Sequence, residues 1–339
     1  MEIYFIVLLV CLLSLFAYKN TEKGIYAVTP YIIMSVFCGL RGDVGIDTNT
    51  YNDIFYYISI GKDFKVELGY QMLTQIVQFL GGTQQLVFLV MSSMTSFFIY
   101  KYIKYDSEDF SVSTVVYMCI GPFYFSSWNT MREAFAVSIF LYSIRFIDKS
   151  FLKYMSSLIV ASFFHYSAIF YILFWCFHKL IRPNLYIVSL VLLMSIVIFL
   201  HTFNIIPFII ENIVPQYINY IDGHIAEMNM GYVIFFFICI FLIFATKITS
   251  IRIKSVYSEM IILSCVLVGV PLYTNQFVTM YIRLAEYVTP VLIIVLPNLR
   301  KYFKPSWYYD VILVSSSVIY YIRLTTLELG YYNYNLQLF

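Results

Sequence analysis

Long unbroken apolar runs, separated by short polar punctuation, cover nearly the whole chain. None alternates at every second residue as a barrel strand would, so the pattern predicts helices whose backbone groups bond internally. With about 20 residues needed to cross a bilayer, and shorter helices tolerated, segments fall near 3–18, 25–40, 84–103, 111–125, 130–147, 152–164, 166–180, 184–201, 232–247, 257–272, 282–298 and 308–323. The prediction is an all-α, polytopic integral membrane protein of about twelve membrane or half-membrane helices, forming one domain over residues 1–339 with long loops at 41–83 and 202–231. The run 3–18 has no basic region before it and no small-residue cleavage site after it, so it reads as a retained helix.

One run needs arbitration. Residues 152–180 would span about 43 Å as a single helix, too long for one easy crossing and too short for two full ones. Lys and Arg mark cytoplasmic loops, and a hairpin turning at Phe164-His165-Tyr166 keeps the later basic clusters (179–182, 247–254, 300–304) on the same side as the earlier ones. The rival is a single crossing compensated by 204–221, but two prolines and Glu211 weaken that segment as a membrane helix. With the hairpin, 15 of the 21 Lys and Arg lie inside and 12 of the 19 acids lie outside. Both termini and both long loops then face outward, and irregular loops commonly carry sites.

Composition agrees with this reading. The chain is 61% hydrophobic with a mean hydropathy of +0.80, and its 12% charged residues compare with about 25% in soluble domains. The net charge of +2 forms no basic patch, so nucleic acid is not an expected partner. All six cysteines lie in apolar runs without metal-ligand spacing, and no D-x-D motif is present, so no metal or other cofactor is expected.

The stretch 38-CGLRGDVGIDTNTYNDIFYYI-58 breaks the apolar pattern. Gly42 and Gly45 flank Asp43 and permit backbone angles that let Arg41 and Asp47 turn back toward one centre. After them, residues 51–60 read either as a helix lying in the membrane interface or as an ordinary connecting helix. Four arginines sit on the outer side near helix ends: Arg41, Arg132, Arg283 and Arg323. Snorkelling accounts for Arg323; for the other three it is the alternative to convergence on an anionic lipid head, where guanidinium forks could hold a diphosphate without a divalent metal. Asp47, Glu67 and His165 are candidate bases, each with a structural alternative as a paired or hydrogen-bonded side chain. Most of the 33 tyrosines and 32 phenylalanines read as packing and interfacial anchors, with Tyr70, Tyr124 and Trp128 as candidates to stack on sugar rings.

The ordered set 40-LRGDVGIDTNTY-51, 67-ELGYQML-73, 129-NTMREAFAVSI-139, 165-HYSA-168 and 283-RLAEY-287 resembles the EpsG/Wzy-like family of bacterial polysaccharide polymerases. The resemblance implies a glycosyltransferase of the bacterial inner membrane. Such an enzyme joins undecaprenyl-diphosphate-linked oligosaccharide repeat units at the periplasmic face and releases undecaprenyl diphosphate. It also implies a relation to GT-C-type glycosyltransferase folds, membrane lipid as surroundings and a membrane chain-length regulator as partner. By position the resemblance implies that Arg41, Arg132, Arg283 and Tyr51 bind the diphosphate-linked substrate and that Asp47, Glu67 and His165 are catalytic; Glu286, beside Arg283, is a further substrate-binding candidate. Asp43 and Glu286 depart from the motif and blur which acid is the base. An O-antigen ligase shares almost every feature, and a lipid-linked oligosaccharide flippase would show a similar helix count.

Overall fold

The computed structural model describes residues 2–62, 65–181, 185–203, 205, 208, 230–248, 253–274, 278–327, 334, 336 and 337. Every element named among them is helical; one isolated antiparallel bridge joins Arg41 and Leu336. Five helices are long and apolar enough to cross a membrane, and five shorter apolar ones accompany them among the described residues. The protein is a membrane protein.

In chain order the helices are α1 (Glu2–Thr21), α2 (Gly24–Gly39), α3 (Thr48–Ser59), α4 (Leu68–Phe79), α5 (Gln84–Asp106), α6 (Phe110–Cys119), α7 (Gly121–Tyr124), α8 (Ser126–Asn129), α9 (Met131–Ser143) and α10 (Phe151–Ser162). A 3-10 turn at Tyr166–Tyr171 leads to α11 (Ile172–Leu180), α12 (Tyr186–Thr202), α13 (Met230–Ile248), α14 (Ser255–Thr274), α15 (Val278–Val288), α16 (Leu292–Asn298) and α17 (Ser306–Leu327). Contacts group them into two compact units, one of residues 1–172 with 293–339 and the other of 173–292.

In the first unit α2 runs against α5: Ser92 Oγ donates to the Ser35 carbonyl at 2.8 Å, and Tyr31 and Tyr100 stack edge-on at 5.2 Å. Helices α5 and α9 run parallel. Gln84 at the start of α5 bonds Tyr70, whose ring lies beside Arg132 at the start of α9, and Tyr105 at the end of α5 stacks on Arg145 just past the end of α9. The unit therefore has two poles separated by the length of α5, about 34 Å for 23 residues. One pole carries Arg41, Glu67, Arg132, Glu133 and His165. The other carries an ion-pair lattice in which Arg300 bonds Asp109 and Asp310, and Lys301 bonds Glu108 at 2.7 Å.

Aromatic residues fill the first pole. Trp128 is fully buried among Tyr4, Phe37, Tyr124, Phe125 and Tyr334, and such edge and offset contacts contribute about 0.5–1.5 kcal/mol each beyond their area. Tyr70, Tyr124 and Trp128 are all buried, so none offers an open face to a sugar ring. Burial of these rings in the helix packing, where the sequence placed them on an outer face, corrects that expectation.

Several segments differ in detail from the sequence pattern; the expected span 282–298, for one, is interrupted by a 3-10 turn at Thr289–Val291. The span expected at 111–125 stops at Cys119, because Pro122 lacks an N–H and restarts the chain as the single turns α7 and α8 before α9. The loop 41–83 is built from two amphipathic helices. The α4 stripe Leu68, Met72, Ile76 and Phe79 is exposed while Tyr70, Thr74 and Val77 face inward, the arrangement of a helix lying in a membrane interface. The expected turn at 164–166 is present: α10 ends at Ser162, His165 is extended, and Tyr154 Oη donates to the Tyr171 carbonyl at 2.6 Å. One continuous helix would hold those two residues about 25 Å apart. Of the loop 202–231, residues 204, 206, 207 and 209–229 lie outside the described residues, Glu211 among them.

In the second unit His178 Nδ1 pairs with buried Glu259 at 2.5 Å, and His201 Nε2 meets the Tyr281 hydroxyl at 2.7 Å. These contacts join α11 to α14 and α12 to α15, giving polar side chains inside an apolar bundle the partners that burial demands.

Candidate active site

The loop after α2 is shaped by Gly45, which takes a left-handed φ of 103°, while Gly42 does not use a positive φ. A side chain at Gly45 would strike Asn129 and the Trp128 carbonyl, and Asn129 Oδ1 accepts from Ile46 N at 2.7 Å, so the loop lies flat on the α8–α9 junction. Arg41 is turned inward by this docking. It is fully buried, its Nη1 donates to the Cys38 carbonyl at 2.6 Å, its Nη2 donates to the Trp128 carbonyl at 2.9 Å, and its guanidinium covers the Phe88 ring at 4.2 Å. Asp47 follows as the N-cap of α3, half-buried, with its charge acting on Tyr51 one turn later.

A second close approach brings Glu67 to His165. The Gly69 N–H donates to the Phe163 carbonyl at 2.7 Å, and any side chain at Gly69 would collide with that carbonyl. Glycine here lets the start of α4 touch the end of α10. Glu67, buried at the N-cap of α4, then meets two partners: Arg132 Nη1 donates to its Oε2, and His165 Nδ1 lies 2.9 Å from its Oε1. On the other side of the ring, His165 Nε2 lies 3.6 Å from Glu133 Oε2.

Arg132 sits between two tyrosine rings, 5.8 Å from the Tyr51 centroid and 5.7 Å from the Tyr70 centroid, with the Tyr51 hydroxyl within hydrogen-bonding range. Its side chain remains 23% exposed, against 0% for the whole of Arg41. Of these two arginines, Arg132 can offer a donor to a ligand without unfolding its surroundings. Arg283 and Glu286 lie on α15 in the second unit, three residues apart and close enough for their charges to interact, both half-buried.

Burial alone would raise the Glu67 carboxyl, but the hydrogen bond with His165 and the charges of Arg132 and His165 outweigh it, and its pKa lies below the ordinary value of 4.5. A depressed folded-state pKa stabilises fully above the unfolded value, and the contribution is lost as pH falls through the folded value. The unfolding temperature in detergent is therefore expected to drop as the pH is lowered below 4.5. Glu67→Gln should flatten that dependence. Identical acid slopes for the two proteins would show that the pairing contributes nothing.

Burial likewise raises the Tyr51 phenol, against the Arg132 charge, so at neutral pH it stays protonated. The sequence placed Glu67, Arg132, His165 and Tyr51 among the candidate residues, and the fold gathers all four in one cluster. It did not single out Glu133, whose signal was a carboxylate beside Arg132 inside an otherwise apolar helix. Among the described residues no group of three or more His, Cys, Asp or Glu side chains is arranged to hold a metal ion; the two carboxylates flank opposite edges of the His165 ring.

Comparison with curated proteins finds no match, and comparison with solved structures finds none. A family model described as the EpsG family matches residues 24–336, a stretch that runs from the start of α2 to the segment bridging Arg41 and takes in every side chain of the cluster. Over nearly its whole length, then, this chain belongs to the EpsG family.

Proposed function

We propose that the chain is a polysaccharide polymerase, a glycosyltransferase that joins undecaprenyl-diphosphate-linked oligosaccharide repeat units and releases undecaprenyl diphosphate. EpsG membership supports the polymerase class. The observation that carries the site is Arg132, a partly exposed guanidinium held in place by Glu67 and two tyrosines at one pole of a membrane bundle. The opposite pole is rich in Lys and Arg, and the positive-inside rule turns the Arg132 pole toward the periplasm. The remaining architecture of the proposal is a single polytopic domain in the bacterial inner membrane with about twelve membrane or half-membrane helices, akin to GT-C-type folds.

In this reaction the terminal hydroxyl of one lipid-linked repeat attacks the anomeric carbon of a chain on a second lipid diphosphate. The new C–O bond forms as the bond to the phosphate oxygen breaks, and negative charge grows on the leaving diphosphate. Arg132 donates to that charge, a preorganised electrostatic contribution of the type that usually dominates such catalysis. Asp47, whose charge acts on the Tyr51 that also meets Arg132, is the base that takes the hydroxyl proton. Arg41 acts by holding the loop that positions Asp47. Arg283 remains a substrate-binding candidate on the sequence motif and Glu286 one through its place beside Arg283, and a chain-length regulator remains a candidate partner.

The test is the surface polysaccharide of a strain lacking this chain. A single repeat on its final acceptor is the expected result. Long chains left free on the lipid carrier would make the protein a ligase, and lipid-linked units accumulating on the cytoplasmic side would make it a flippase.

A further inference from the structure

Glu133 sits next to Arg132 in the first turn of α9, 1% exposed. It faces the Nε2 edge of His165 at 3.6 Å, within ion-pair range, while Glu67 faces the Nδ1 edge at 2.9 Å. An ionised carboxylate only accepts hydrogen bonds, so each ring nitrogen is opposed by an acceptor. Taken by themselves, the Glu67 and Glu133 carboxylates and the Arg132 guanidinium carry one net negative charge, which a second proton on His165 balances. An unbalanced charge in such buried surroundings is strongly disfavoured.

We propose that Glu133 is a positioning residue that, together with Glu67, fixes the His165 ring with a proton on each nitrogen, Nδ1–H bonded to Glu67 and Nε2–H facing Glu133 at ion-pair distance, as a standing cation beside Arg132. The consequence for catalysis rests on the polymerase reading: the imidazolium adds to the positive field at the diphosphate and is not the base. Further titratable groups lie near the ring. Arg132 reaches it through Glu67, Tyr51 and Tyr70 flank Arg132, the Glu133 charge acts on Tyr171, and Asp47 acts on Tyr51. Among the described residues, Glu67 and Glu133 set carboxylates against the two ring edges, so removing one lowers the ring's affinity for its second proton.

The experiment is NMR of the full chain in nanodiscs with labelled histidine, titrated between about pH 5 and 9, the His165 signals assigned by their loss in His165→Gln. The wild-type ring is expected to read as imidazolium at neutral pH. Glu133→Gln is expected to lower its midpoint by at least about one pH unit, and Glu133→Asp to restore most of the shift. A purely structural role for Glu133 would lower the unfolding temperature without moving the titration, which overturns the proposal. A neutral wild-type ring at pH 7 also overturns it, and that spectrum decides even where Glu133→Gln fails to accumulate. The measurement needs no sugar substrate, so a deletion strain with normal polysaccharide would remove the polymerase reading and leave the imidazolium assignment standing.

Discussion

Replacing Arg132 with alanine is expected to leave the protein in the membrane and to stop chain extension beyond one repeat unit. The side chain is partly exposed, and Glu67 keeps His165 as a partner when the guanidinium is gone, so the structural loss is modest. The catalytic loss is large. Removing one preorganised donor from a developing oxyanion costs about 100- to 1000-fold in rate, enough to collapse a ladder of long polymers. Arg132→Lys keeps the charge but loses the planar fork that meets two phosphate oxygens, and should recover part of the chain length. Gel ladders and membrane-fraction immunoblots of the two variants read both quantities. Long ladders from Arg132→Ala at normal protein levels would eliminate the proposed role.

Arg41→Ala should fail in the opposite way, with protein lost first and polysaccharide only in proportion. Its guanidinium supplies the donors for the Cys38 and Trp128 carbonyls and covers Phe88 inside a fully buried site. Each carbonyl left without its donor costs about 1–3 kcal/mol, and the vacated volume adds a cavity penalty. A total of about 3 kcal/mol or more is a large share of the stability of a typical domain. Thermal unfolding in detergent and the amount of folded protein in the membrane check this. If Arg41→Ala accumulates normally but makes no polymer, Arg41 belongs with Arg132 as a ligand contact.

The two arginines look alike along the chain, since each follows an apolar run at a helix end with a short polar stretch around it. What separates them is remote. Arg41 is claimed by the carbonyl of Trp128, 87 residues away, and Arg132 by the carboxylate of Glu67, 65 residues away. Neither pairing leaves a local periodic trace. The turn at His165 was more accessible, because run length and the parity of basic loops point to a break there, and it is held by Tyr154 bonding Tyr171. The Gly45 turn was also legible, as a glycine beside charged residues where a left-handed angle was needed. Gly69 was not, because its necessity comes from the Phe163 carbonyl pressed against it.

The sequence by itself determined that this is a helical membrane protein and which ordered motifs point to its family. Those properties follow from contiguous residues, since a membrane selects on local hydropathy and on the charges that flank each run. Which ionisable groups meet was decided only by tertiary structure. A buried charge takes whichever partner the packed helices bring within a few ångströms, and so Glu67, Arg132, Glu133 and His165 became one cluster while Arg41 was folded away from it.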